Sequence, residues 1–257
     1  VIDRLGRTWR IVWTGCAFLY FALVCFLLAI VTVPGRALRG GTRSEGEVWS
    51  QGWTQRGTHS FFQLLRATRV AELECDDLER LRRPGQLLVA NHPTLIDAIC
   101  LMSLMPQVDC VIKASHARNA VLAGIVHTAG YIPNDDGRSV VERSVELLGE
   151  NRSIVVFPEG TRSEPGELNP FGRGAAHIAL RSGLDPVPVT IRCEPATLYR
   201  GLAWWEVPER KFRITLEVGE PISLAKLMPE PLPTPRAARV ITAALTEHFE
   251  RQLNLVG

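Results

Sequence analysis

The chain has no excess of charge of either sign. Among 257 residues, 29 Lys and Arg nearly balance 27 Asp and Glu, which removes the broad positive field that a nucleic-acid partner requires. Six cysteines are present (Cys16, Cys25, Cys75, Cys100, Cys110 and Cys193), but no two form CxxC and no Cys/His cluster has zinc spacing. Neither a metal centre nor a disulfide framework is expected. The cysteines read as small buried hydrophobes in a reducing, cytoplasmic setting. No GxSxG occurs, which disfavours a serine hydrolase. "GRGAAH" (172–177) begins like a dinucleotide fingerprint but lacks its last glycine and a leading strand. There is no internal repeat, coiled coil or low-complexity tract.

What the chain does have is one long apolar run. Residues 11–33, "IVWTGCAFLYFALVCFLLAIVTV", carry no charge, and at ~1.5 Å rise per residue a helix of that length spans the ~30 Å hydrocarbon core of a bilayer. The run exceeds the ~7–15 apolar residues of a signal peptide, so a transmembrane or re-entrant helix is expected. Arg4, Arg7 and Arg10 precede it and Arg36, Arg39 and Arg43 follow it. That symmetry leaves the topology open, and a re-entrant helix would place both flanks at one leaflet. Segment 47–69 interleaves Trp49, Trp53 and Phe61 with Gln, Arg and Thr. It suits a helix lying at headgroup level, or one packed on the body, and Gly52 and Gly57 argue against continuity. Residues 1–68 are therefore assigned to an N-terminal membrane anchor and 69–257 to a catalytic body.

In the body, short apolar strands at 69–75, 86–91, 108–114, 153–159, 186–192 and 212–218 alternate with helical patterns at 95–105, 120–130, 139–150 and 174–183. The alternation predicts an α/β domain with a mostly parallel sheet flanked by helices. Pro-rich 228–236 connects to a closing helix with Val240, Ile241, Ala244, Leu245 and Phe249 on one face.

Chemistry concentrates at two strand ends. In "LLVANHPTLIDAICLMSLM" (87–105), the strand ends at Asn91 and Pro93 is suited to open a helix. His92 then stands at the carboxyl edge of the sheet with Asp97 one turn into the helix. An Asp accepting from one ring nitrogen leaves the other free to take a proton. Two polar residues decorating a turn would share that spacing. The second end, "SIVVFPEGTRSEPGELNPFGRGAAHIAL" (153–180), brings Glu159, Thr161 and Arg162 out of a strand at the same edge, with Gly160 permitting a tight turn.

Together, "NHPTLID" and "FPEGTRS" resemble the first and third motifs of the lysophospholipid acyltransferase family, which includes the 1-acylglycerol-3-phosphate acyltransferases. The resemblance covers roughly residues 65–225, and "VPVTI" (187–191) looks like the fourth motif. It implies the glycerolipid acyltransferase fold and an O-acyltransferase bound to the cytoplasmic face of a cell inner membrane. Its acyl donor would be acyl-CoA or acyl carrier protein and its acceptor a lysophospholipid, with no other cofactor. His92 would be the general base, oriented by Asp97. Glu159, Gly160, Thr161 and Arg162 would line the acceptor site, with Lys113 and Arg138 as further basic residues. The second motif departs from the family: "GYIPNDDGRS" (130–139) displaces Arg138 and, with Pro133, Asn134 and Gly137, implies a different loop. A specialised lipid acceptor, such as an aminolipid or a polyene lipid, or a thioesterase that uses water, are the alternatives.

Overall fold

The structure, a computed structural model, describes residues 2–119 and 122–255, without the side chains of 2–5 and 116. The side chain of Arg4, and 120–121 at the start of the helix expected from 120, lie outside the described residues. In chain order the elements are α1 (Ile2–Arg39), α2 (Arg43–Ala67), β1 (Ala71–Cys75), α3 (Leu78–Leu81), β2 (Leu87–Ala90), α4 (Asp97–Leu104), β3 (Asp109–Lys113), α5 (Ala114–Ala117) and α6 (Ala123–Ala129). There follow β4 (Ile132–Asn134), α7 (Gly137–Gly149), β5 (Ile154–Val156), α8 (Gly174–Ser182), β6 (Val187–Glu194), β7 (Phe212–Val218), α9 (Leu224–Leu227) and α10 (Thr234–Gln252).

Seven strands form one sheet in the order β1-β7-β6-β2-β5-β3-β4. Every pairing is parallel except β6 with β7, which bears out the mostly parallel sheet. Central β2, β5 and the first half of β6 are buried on both faces, hence the Leu, Ile and Val that dominate them. One core lies under α1, α2, α4 and α6, and the other under α7, α8 and α10. The expected loop at 130–139 contains β4, a strand the sequence pattern did not suggest. Its Pro133 is tolerated because β4 is an edge strand, where one N–H need not pair.

The first two helices form a hairpin, and α2 is continuous through Gly52 and Gly57. A Cβ on Gly57 would come within 2.7 Å of Val24. The glycine is therefore the close-approach point of α1 and α2, and packing offsets its poor helix propensity. The buried face of α2 is polar over its first half, where Ser50, Thr54 and Thr58 are buried and each hydroxyl donates to the carbonyl one turn back, and apolar beyond it, at Phe61, Phe62 and Leu65. Of the two arrangements open for this segment, α2 takes the packed one.

A charged clamp secures α2. Arg152, before β5, donates through Nε and Nη2 to both oxygens of Asp109 at 2.8 and 2.6 Å, and through Nη1 to Glu47 of α2 at 2.8 Å. Asp109 and Glu47 are fully buried. Gln51 and Gln107 add bonds to Asp109, while Arg43 and Arg143 donate to Glu47. Burial would push the Glu47 carboxyl up, but the bonds and charges of Arg43, Arg152 and Arg143 carry it below the ordinary carboxylate range.

Helix α1 is long and apolar enough to cross a membrane, yet it lies along the body for most of its length. Trp9 donates to the Thr68 carbonyl, Tyr20 to Ser60, Thr32 and Thr128 share a hydrogen bond, and Arg36 donates to the His127 and Thr128 carbonyls. The opposite side exposes Val12, Leu19, Leu23, Phe26, Leu27 and Ile30. Cys16 is exposed on α1 and Cys75 and Cys193 are half-buried, so only Cys25, Cys100 and Cys110 fit the expectation of buried cysteines.

Candidate active site

Strand β2 does not end cleanly at Ala90. The buried Asn91 side chain donates to the Ile191 carbonyl at 2.9 Å and accepts from the Ile191 N–H at 2.6 Å. It thus takes the place of a backbone peptide against β6. The main chain is free to turn, and His92 leaves at the carboxyl edge of the sheet, where open α/β sheets place their sites.

The turn after His92 is tighter than expected. Helix α4 begins at Asp97 itself, not at Pro93, because Asp97 closes the 94–96 turn with its own side chain. Its Oδ2 accepts from the Thr94 N–H at 2.7 Å, its Oδ1 accepts from the Thr94 hydroxyl, and the Leu95 N–H is taken by the Leu198 carbonyl. The Thr-x-x-Asp spacing resembles a capping box and was the signal available for Thr94. Asp97 Oδ2 also accepts from His92 Nδ1 at 2.7 Å, and Asp97 is fully buried. A carboxylate can only accept here, so Nδ1 carries the proton and Nε2 presents its lone pair. The ring rests against Phe157, centroids 4.7 Å apart, and a fifth of the side chain reaches solvent. The dyad is assembled in the geometry of a general base with its orienting acid.

The segment after β5 does something the sequence did not suggest. Glu159 is buried and accepts from the His92 N–H at 2.7 Å through Oε1, and from the Asn169 N–H and side-chain amide at 2.9 and 3.1 Å through Oε2. Burial pushes its carboxyl above the ordinary range, and the donors of Asn169 and His92 pull it back. Ser163 N–H donates to the His92 carbonyl. The peptide on each side of His92 is therefore bolted to the 158–169 segment. Gly160 has φ +66° with open space around it, so it is needed for its backbone and not for a close neighbour. Gly160 and Thr161 are exposed.

Arg162 is half-buried and its Nη1 donates to the carbonyls of Leu198 and Tyr199 at 2.9 and 3.0 Å. It holds the β6–β7 loop over the dyad, with Leu198 at φ +57°. Lys113 is exposed at the end of β3, on the carboxyl edge that also carries His92. Arg138 sits in the first turn of α7 with 84% of its side chain exposed, donating to Glu142. None of its described contacts brings it to the dyad. Asn91, Thr94, Phe157 and Asn169 are the supporting residues that the motif comparison did not single out.

Two hollows flank the turn. An apolar cavity of about 300 Å³ lies between α1, α2, α4 and α6, with Phe21, Ile96, Ile99 and Ile125 in its wall. A second hollow of about 200 Å³ on the Ser163 side carries the charged side chains Glu164, Glu167 and Glu194 as well as Arg192. Its surplus of carboxylates makes it a poor phosphate site.

These features define an α/β protein with a dyad of a buried acid and a partly exposed base at its sheet edge and an apolar cavity beside it. A family model described as Acyltransferase matches residues 72–192, just under half of the chain. The 1-acyl-sn-glycerol-3-phosphate acyltransferase beta of Homo sapiens is 31% identical over 183 residues, covering 66% of this chain and 62% of that protein. The chloroplastic 1-acyl-sn-glycerol-3-phosphate acyltransferase BAT2 of Brassica napus is 35% identical over 108 residues, covering 40% and 31%. The chain thus matches less than two thirds of the length of these curated relatives. The crystal structure of the 1-acyl-sn-glycerophosphate (LPA) acyltransferase, PlsC, from Thermotoga maritima has the same fold, with TM-score 0.61, 16% identity, and coverage of 91% of this chain and 96% of that one.

Proposed function

We propose that the protein is a membrane-bound O-acyltransferase that moves a fatty acyl chain from acyl-CoA or acyl carrier protein to a lysophospholipid such as 1-acylglycerol-3-phosphate. The observation that carries this reading is the His92–Asp97 pair, whose buried carboxylate leaves Nε2 as the basic atom. In the reaction, Nε2 takes the proton of the acceptor hydroxyl as its oxygen attacks the thioester carbonyl. The C–S bond breaks as the new C–O bond is kept, and the imidazolium returns the proton to the departing thiolate. Asp97 stabilises the imidazolium in between. The apolar cavity beside the turn suits the acyl chain of the donor. The exposed apolar face of α1 suits a lipid environment, with the body on the cytoplasmic side of an inner membrane. Because α1 is packed along the body, a helix embedded lengthwise on one side of the bilayer accounts for both of its faces.

Lys113 supports a phosphate-bearing acceptor. Arg162 would serve it only by releasing the Leu198 and Tyr199 carbonyls, and the solvent-facing Arg138 lends it no support. That observation keeps a second acceptor in play, a specialised lipid with a different headgroup. The test is thiol release from acyl-CoA and acyl carrier protein across a panel of lysolipids. Release should require an acceptor, and His92→Ala should lower turnover by ~10²- to 10⁴-fold, the range for a general base. Undiminished turnover in that variant would sink the mechanism, and release without any acceptor would point to a thioesterase.

A further inference from the structure

A transfer from an acyl thioester to a lysolipid has to accommodate two chains, the one that moves and the one the acceptor already carries. The apolar cavity between α1, α2, α4 and α6 suits only the first. A second, shallower groove of about 390 Å³ lies outside it, walled by Gly15, Phe18, Leu19, Leu95 and Trp204. Phe18 and Leu95 belong to both, so the groove and the cavity share a partition. Leu95 is 46% exposed although it lies in the turn that carries the dyad. On its outer side the groove runs directly into the exposed apolar face of α1 through Leu19, which is 73% exposed.

We propose that this groove is the subsite for the acyl chain of the lysolipid acceptor, with Trp204 as its outer wall. The inference rests on the acyltransferase reading and adds where the acceptor lies. Three features fit a lipid chain arriving from the membrane face. The groove is almost wholly apolar, it is continuous with the lipid-suited side of α1, and it ends at the turn of His92, where the acceptor hydroxyl has to arrive. Its wall is built, not incidental. Trp204 packs edge-on against Phe18 of α1 at 6.3 Å and against Trp205 at 5.4 Å. Gly15 makes room for the indole, since a Cβ there would lie 3.2 Å from the ring. The loop bearing Trp204 is held over the site by the Arg162 bonds to Leu198 and Tyr199 and by Arg10, which donates to the Pro208 carbonyl. On this view Arg162 serves the acceptor by positioning the wall of its chain, not by meeting its headgroup.

The experiment measures KM for donor and acceptor separately in the full-length protein, with lysolipids of long and short chain in detergent. Trp204→Ala should raise the KM of a long-chain lysolipid about tenfold, the equivalent of one part-buried aromatic wall. It should leave the donor KM and the short-chain acceptor unchanged, and Trp204→Phe should restore most of the loss. Leu19→Trp, which narrows the groove from α1, should likewise raise only the long-chain KM. Equal changes in both KM values, or an unchanged acceptor KM, would overturn the subsite while leaving acyl transfer standing. Thiol release independent of any acceptor would instead overturn the acyltransferase reading, and the subsite with it.

Discussion

Replacing Glu159 by Gln distinguishes a substrate ligand from a bolt. The carboxylate receives three N–H groups, one from the His92 backbone and two from Asn169. A glutamine has the same outline but only one acceptor oxygen. Whichever way its amide is turned, its NH2 confronts a buried N–H on one side. A buried hydrogen bond to a charged group contributes ~1.5–3 kcal/mol, and leaving its donor unpaired costs ~1–3 kcal/mol. Removing the charge also relieves part of its desolvation cost, which is what lifts the Glu159 carboxyl above its ordinary range. The net loss expected is about 2 kcal/mol, which for a chain of this size lowers Tm by roughly 4–8 °C. Because the released peptide is that of His92, kcat should fall with it while the acceptor KM stays near its original value. Thermal unfolding in detergent, paired with steady-state kinetics, reads both. If Tm holds and the acceptor KM rises instead, Glu159 touches substrate as the motif resemblance implied, and the bolt is wrong.

Arg152→Ala should be far more damaging than a surface change. It leaves Asp109 buried without its bidentate partner, a loss of about 3–5 kcal/mol that unfolding in denaturant would register; a cost under 1 kcal/mol would show that water or another cation replaces it. Glu47 predicts a pH dependence. Its folded pKa is depressed, so its contribution is complete above the ordinary carboxylate range and lost as pH falls through the lower folded value. The Tm gap between the protein and Glu47→Gln should accordingly be widest near neutrality and close in acid, and a gap independent of pH refutes the assignment. Gly160→Ala meets no neighbour but forces a Cβ into a left-handed backbone, and should cost ~1–2 kcal/mol with the chemistry otherwise intact.

The sheet and its site edge were legible because their signals are local. The unbroken Leu and Val of β2, the short spacing of His92 and Asp97, and a glycine at a forced positive φ each leave a mark within a few residues. What stayed hidden depends on partners distant in the chain. Glu159 accepts from a backbone N–H 67 residues away, and any residue but proline has such a donor, so nothing in "NHP" announces it. Arg162 reads as an anion ligand from its chemistry, yet two carbonyls of the β6–β7 loop use its donors. The aromatics of α2 interleaved with Gln, Arg and Thr left a headgroup-level helix and a packed one equally open, because the hydroxyls that face inward bond to their own helix and name no distant partner. Strand β4 was obscured by Pro133, whose ring is harmless at an edge and prohibitive elsewhere.

The clamp at Glu47, Asp109 and Arg152 has a practical consequence for anyone wishing to handle the body without its greasy leading helices. Trimming the chain after residue 68 would not detach an accessory. It would withdraw Glu47 and Gln51 from a buried guanidinium and carboxylate, strip two of the four helical walls from the apolar cavity, and remove the surface on which Trp204 rests. Solubility is better sought by recolouring the outward side of α1 at Leu23, Phe26 and Ile30, exposed positions that can turn polar while the inward side keeps its grip.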